Sequence, residues 1–154
     1  MYKLLAVLLF SILVYSCNDS ADKPIATEDS VEVPESFPVW QAVLNDSTGR
    51  IEMTRVMTEG VDNSSVPGII EIVNENNPDI NLEYLKTSHD TVYLKIEDAH
   101  YLTQQMGTTG ASMYMTSLVY NLTELPGNHY VHLDFQEGDH AQPGTFSRQS
   151  FAGL

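Results

Sequence analysis

The chain opens with an apolar run from Leu4 to Val14, broken only by Ser11, and turns polar and acidic from Asn18 to Ser36. Beyond Phe37 the pattern changes again, to short alternating stretches and helical repeats of the kind that bury one face. Val39 to Leu44 reads as a strand, Asn45-Asp46-Ser47-Thr48-Gly49 as a turn, and Arg50 to Thr58 as the returning strand. Asn63-Ser64-Ser65 offers a helix N-cap with Pro67 in the first turn, where a backbone N–H would be unpaired anyway. Val66, Ile69, Ile70 and Val73 follow at helical spacing, and Asn76-Asn77-Pro78 closes the helix. A second hairpin, Leu82 to Thr87 and Thr91 to Ile96, flanks Ser88-His89-Asp90.

The clearest helix follows Gly107-Thr108-Thr109-Gly110. Ala111, Met115, Leu118, Val119 and Leu122 fall on one face, and Pro126-Gly127 stops it. The last strand, His129 to Gln136, alternates Val131, Leu133 and Phe135 against Tyr130, His132, Asp134 and Gln136. Gly138 to Leu154 reads as a turn and a loosely held tail. The order is hairpin, helix, hairpin, helix, strand. It predicts an α+β domain over residues 37–146, with a C-terminal tail at 147–154. Helices interleaved with antiparallel strands suggest a single antiparallel-rich or mixed sheet with both helices packed on one face.

The apolar run at the start is too short for a permanent membrane helix, which needs about 20 apolar residues. With Lys3 ahead of it, it fits a secretory signal instead. Leu13-Val14-Tyr15-Ser16-Cys17 resembles a lipobox, although Tyr15 is bulkier than the usual residue there. Residues 1–16 are therefore expected to be cut away and Cys17 to carry lipid, which makes the membrane a partner. Cys17 is the only cysteine, so no intrachain disulfide can form. Ser-Cys followed by a polar, acidic stretch resembles lipoproteins of Bacteroidetes type. Residues 17–36 hold six acids against Lys23 alone, with Pro24 and Pro34 interrupting, and bury too little to order themselves. As a flexible tether they would hold the domain on the order of 25 Å from the bilayer.

Acidic residues outnumber basic ones 21 to 7, and loss of Lys3 takes the formal charge from −14 to −15. No cluster of Lys or Arg occurs. Such a chain repels polyanions, so nucleic acid is excluded as a partner.

The stretch Gly110-Ala-Ser-Met-Tyr-Met-Thr-Ser-Leu-Val-Tyr-Asn-Leu-Thr-Glu-Leu-Pro-Gly127 and the strand Tyr130-Val-His-Leu-Asp-Phe-Gln-Glu-Gly138 resemble the C-terminal half of a GerMN domain. The hairpins Val39 to Thr58 and Leu85 to Ile96 are similar to it as well, so the resemblance spans most of residues 38–146. Leu122-Thr123-Glu124-Leu125-Pro126-Gly127 is its most specific piece. Asn121 stands where the family usually has threonine, Asn128-His129 replaces an apolar residue, and the first helix is short. The resemblance implies an extracytoplasmic domain similar to the ring-building modules of secretion and sporulation machines. It brings no known catalytic residues and no cofactor.

Little chemistry competes with that picture. His132 and Asp134 share a strand face near His129 and His140, a weak pattern for zinc or copper. Polar residues opposite Val131, Leu133 and Phe135 are equally what a solvated strand face carries. Gly107-Thr108-Thr109-Gly110 opens a helix but has no basic residue beside it to help hold an anion. Gly110-Ala111-Ser112-Met113-Tyr114 lacks the second glycine of a nucleophile elbow. Trp40, Tyr93, Tyr101, Tyr114, Tyr120 and Tyr130 are candidates for an aromatic sugar platform. The expectation is a non-enzymatic, lipid-anchored envelope protein that binds another envelope protein, with a binding surface at Tyr130, His132, Asp134 and Trp40. The alternative is a glycan- or peptidoglycan-binding lipoprotein, and behind it a small envelope hydrolase or metal-binding protein.

Overall fold

The computed structural model describes residues 36–60 and 62–154. Cys17, the signal segment 1–16 and all of the tether but Ser36 lie outside the described residues. Strands β1 (Ser36–Asn45) and β2 (Arg50–Glu59) form the first hairpin, in continuous register from Ser36 opposite Glu59 to Asn45 opposite Arg50. Helix α1 (Val66–Asn76) follows. The Ser65 hydroxyl accepts the Gly68 N–H at 3.2 Å, and Asn76 and Asn77 donate their side-chain amides to the carbonyls of Ile72 and Val73. Those contacts satisfy backbone groups that a helix terminus leaves without partners.

Strands β3 (Leu82–Ser88) and β4 (Thr91–Ile96) make the second hairpin, with a bulge between Tyr84 and Lys86. A π-helical turn, Tyr101–Gln105, leads into α2 (Gly107–Leu122), and Gly107 takes the positive φ of +75° that the junction requires. Strand β5 (Tyr130–Asp134) returns parallel to β4, so α2 is the crossover of a β-α-β unit. Strand β6 (Gly144–Phe146) pairs antiparallel with β5, and a short 3-10 turn, Arg148–Phe151, follows.

The fold class is α+β, with every expected element in its expected order. The strands divide into two sheets, however: β1-β2 alone, and a mixed β3-β4-β5-β6 sheet. The reason lies at the edge of β1 that faces away from β2. The backbone N–H of Trp40 donates to Asn121 Oδ1, Asn121 Nδ2 donates back to the Trp40 carbonyl, both at 2.7 Å, and the Ala42 N–H donates to Ser117 Oγ at 2.8 Å. Side chains of α2 thus take up the groups that a further strand would have paired. Asn74 of α1 does the same for β3, exchanging hydrogen bonds of 2.9 and 3.0 Å with the backbone of Leu82.

The core lies between the mixed sheet and the helices. Val92, Leu94, Val131 and Leu133 on the sheet, and Leu118, Val119 and Leu122 on α2, are fully buried. Residues 138–154, expected as a turn and loose tail, are instead fixed by β6, by the His140 N–H on the Thr103 carbonyl, and by Arg148. Gly138 lies so close to Thr103 and Gln104 of the π-helical turn that a Cβ would not fit.

Candidate functional site

Alternation along the mixed sheet puts one side chain in two into the core and the next on the outer face. Register then aligns those outer residues into rows. Lys86 lies opposite Tyr93, Tyr93 beside His132, and His132 opposite Thr145, so one row crosses all four strands. Its members touch. Lys86 Nζ is 5.0 Å from the Tyr93 ring centroid, the Tyr93 and His132 rings are 5.3 Å apart, and His132 Nδ1 is 2.8 Å from Thr145 Oγ1. In the next row Lys95 stands between Glu83 and Asp134 and forms an ion pair with Glu97. The Glu97 hydrogen bond and charge hold the Lys95 ammonium above its ordinary pKa. Tyr130, 44% exposed, begins the same outer face.

A second constellation joins the hairpin, the end of α2 and the C-terminal turn. Glu124 receives Arg148 Nη2 at 2.6 Å, the Trp40 indole N–H at 3.2 Å, and Arg55 Nη2. These three donors, Arg148 foremost, depress the Glu124 carboxyl from 4.5 to about 2. Arg55 lies 4.3 Å over the Trp40 ring, Tyr120 meets that ring edge-on at 5.8 Å, and Arg148 also donates to Thr123 Oγ1 and the Tyr120 carbonyl, each at 2.9 Å.

Between the first hairpin and the helix pair runs a groove of about 510 Å³. Val39, Ala42 and Val56 line its hairpin side, and Ile72, Met113 and Tyr114 its helical side. Burial pushes the Tyr114 phenol well above its usual pKa.

The structure therefore brings Tyr130, His132 and Asp134 to one face, as alternation predicts, and adds Lys86, Tyr93 and Thr145 to them. Trp40 is not among them; its ring belongs to the Glu124 constellation. Tyr130 shares a shallow depression with Arg148, and no ring contact joins it to Trp40. His129 and His140 do not gather around His132: the His129 N–H is tied to the Asp90 carbonyl and the His140 ring to Thr108. Among the described residues no group of three His, Cys, Asp or Glu side chains is placed to hold a metal ion. Among those residues, too, no helix is long and apolar enough to cross a membrane. Lys86 pairs with Tyr93 about a two-residue turn, His89-Asp90, because Ser88 belongs to β3; the expected three-residue turn would have set Lys86 opposite Val92 instead. Asn121, Arg55 and Arg148 carry no local signal, because their partners lie 81, 69 and 24 positions away.

No protein-family model and no curated protein matches the sequence. Among solved structures, the fold is similar to the tandem GerMN domains of the sporulation protein GerM from Bacillus subtilis. There the TM-score is 0.47 and the identity 18%, over 81% of this chain and 49% of that one. The chain thus spans about half the length of that relative. A candidate lipoprotein from Clostridium perfringens aligns with a TM-score of 0.42 and 12% identity, over 79% of this chain and 92% of that one.

Proposed function

We propose that this protein is an extracytoplasmic lipoprotein, anchored through lipid on Cys17, whose GerMN-like domain docks without catalysis onto another protein of the cell envelope. The observation that carries the docking role is the outer face of the mixed sheet. Among the described residues no element covers it, and it presents the contiguous row Lys86-Tyr93-His132-Thr145 beside exposed Tyr130. Tyrosines with an apolar ring and a polar tip, held rigid by cross-strand neighbours, are what protein interfaces favour. A glycan platform built from Trp40 and Tyr130 draws less support, because the Trp40 ring is already engaged by Arg55 and Tyr120.

The test is site-specific photocrosslinking of the full chain in cells. A benzophenone amino acid in place of Tyr93 is expected to yield a discrete protein adduct, and the same group in place of Glu71 on α1 is not. Adducts at both positions alike, or at Tyr93 only with polymer, would sink the proposal.

A further inference from the structure

The groove between the first hairpin and the helix pair is uncharged in a chain that is otherwise strongly acidic. Its lining includes no Asp, Glu, Lys, Arg or His. Few of its polar groups are open to a visitor. The Trp40 N–H and carbonyl are taken up by Asn121 and the Ala42 N–H by Ser117, and the amides of Asn76 and Asn77 donate to α1 carbonyls. One group stands apart. The Tyr114 hydroxyl is the single buried side-chain polar atom without a hydrogen-bond partner among the described residues, and Tyr114 lines the groove. A buried donor left unpaired destabilises a fold, so a phenol is a poor choice there when phenylalanine would fill the same space.

We infer that the groove binds a small neutral amphiphile: an aliphatic or aromatic body with one hydrogen-bond acceptor that the Tyr114 hydroxyl meets. Each part of that description follows from the lining. With no charged side chain to pair a charge, and an acidic domain around it, the groove disfavours anions by repulsion and cations by desolvation. An extended peptide brings a row of backbone N–H and C=O groups, and on the strand edge facing the groove the Trp40 N–H and carbonyl and the Ala42 N–H are already engaged. The volume lies within the ~300–1,000 Å³ of small-molecule sites. The Tyr114 hydroxyl is buried, so an acceptor reaches it only where the lining yields, and Met57, Met106 and Met113 supply flexible thioethers to that lining.

The test uses the full chain in phospholipid nanodiscs with 13C-methyl methionine, so that partition into lipid is the same for every variant. Titrated 2-octanone is expected to shift the methyls of Met57, Met106 and Met113 saturably while Met53 stays still, and octanoate to bind at least roughly tenfold more weakly. Tyr114→Phe should weaken 2-octanone about tenfold and leave n-octane, which has no acceptor, unchanged. Met113→Lys should reverse the preference towards octanoate. A shift confined to Met53, no saturation, ketone binding as tight in Tyr114→Phe as before, or an unreversed preference in Met113→Lys would overturn the inference.

Discussion

Glu124 gathers donors from Arg55 on β2, Trp40 on β1 and Arg148 near the C-terminus, although its side chain remains 43% exposed. Because all three donors favour the ionised form, the folded pKa of about 2 lies below the ordinary 4.5. A depressed carboxyl contributes stability that is fully present above the unfolded value and lost as pH falls through the folded one. The contribution of Glu124 should therefore hold above about pH 4.5 and vanish towards pH 2. Solvent screening keeps it small, about 1 kcal/mol or less. Urea denaturation of the parent and of Glu124→Gln checks this: their midpoints should differ at pH 7 and converge near pH 2. The same residue explains the Thr123-Glu124 motif in structural terms, since Thr123 closes α2 through the Val119 carbonyl and receives Arg148.

Hairpin, helix, hairpin, helix and strand could each be read from the chain because each carries its own signal. Ser65 caps α1, the Ala111 to Leu122 stripe marks α2, and Val131 and Leu133 alternate with Tyr130 and His132. What could not be read was the division into two sheets. It depends on Ser117 and Asn121, one helical turn apart, which look like ordinary polar helix positions until β1 is seen against them. Strand β6 escaped because its three residues are too few to alternate, and the C-terminal turn because the partners of Arg148 lie on α2 and just beyond it. The candidate face was legible within β5, but its continuation through Tyr93 and Lys86 required the parallel pairing of β4 with β5. Asn121→Ala should leave the Trp40 N–H and carbonyl without partners and cost about 1–3 kcal/mol. Hydrogen exchange should show amides of β1 and β2 losing protection while those of β4 and β5 keep theirs. Equal loss in both sheets would show that the hairpin does not open by itself.

At the scale of the whole molecule, the proposed lipid anchor makes a prediction independent of the fold. Cys17→Ser should abolish palmitate incorporation and leave residues 1–16 attached, readable as an unchanged precursor mass. Palmitate still entering that variant would remove Cys17 as the attachment site. The charge of the chain acts at the same scale, since −14 over 154 residues repels copies of itself and anionic head groups alike.

Trp40 and Ala42 also sit on the first strand after the chain segment ahead of Ser36, and that gives the Asn121 and Ser117 bonds a mechanical meaning. A pull on that segment in line with β1 loads those bonds side by side, in shear, instead of unzipping them one after another. Tension is then handed to α2, and through its buried Leu118 and Leu122 to the sheet that carries the row at Tyr93 and His132. A domain docked by that face and tugged from its N-terminal end would have a continuous load path from one to the other, with a helix as the transmitting rod.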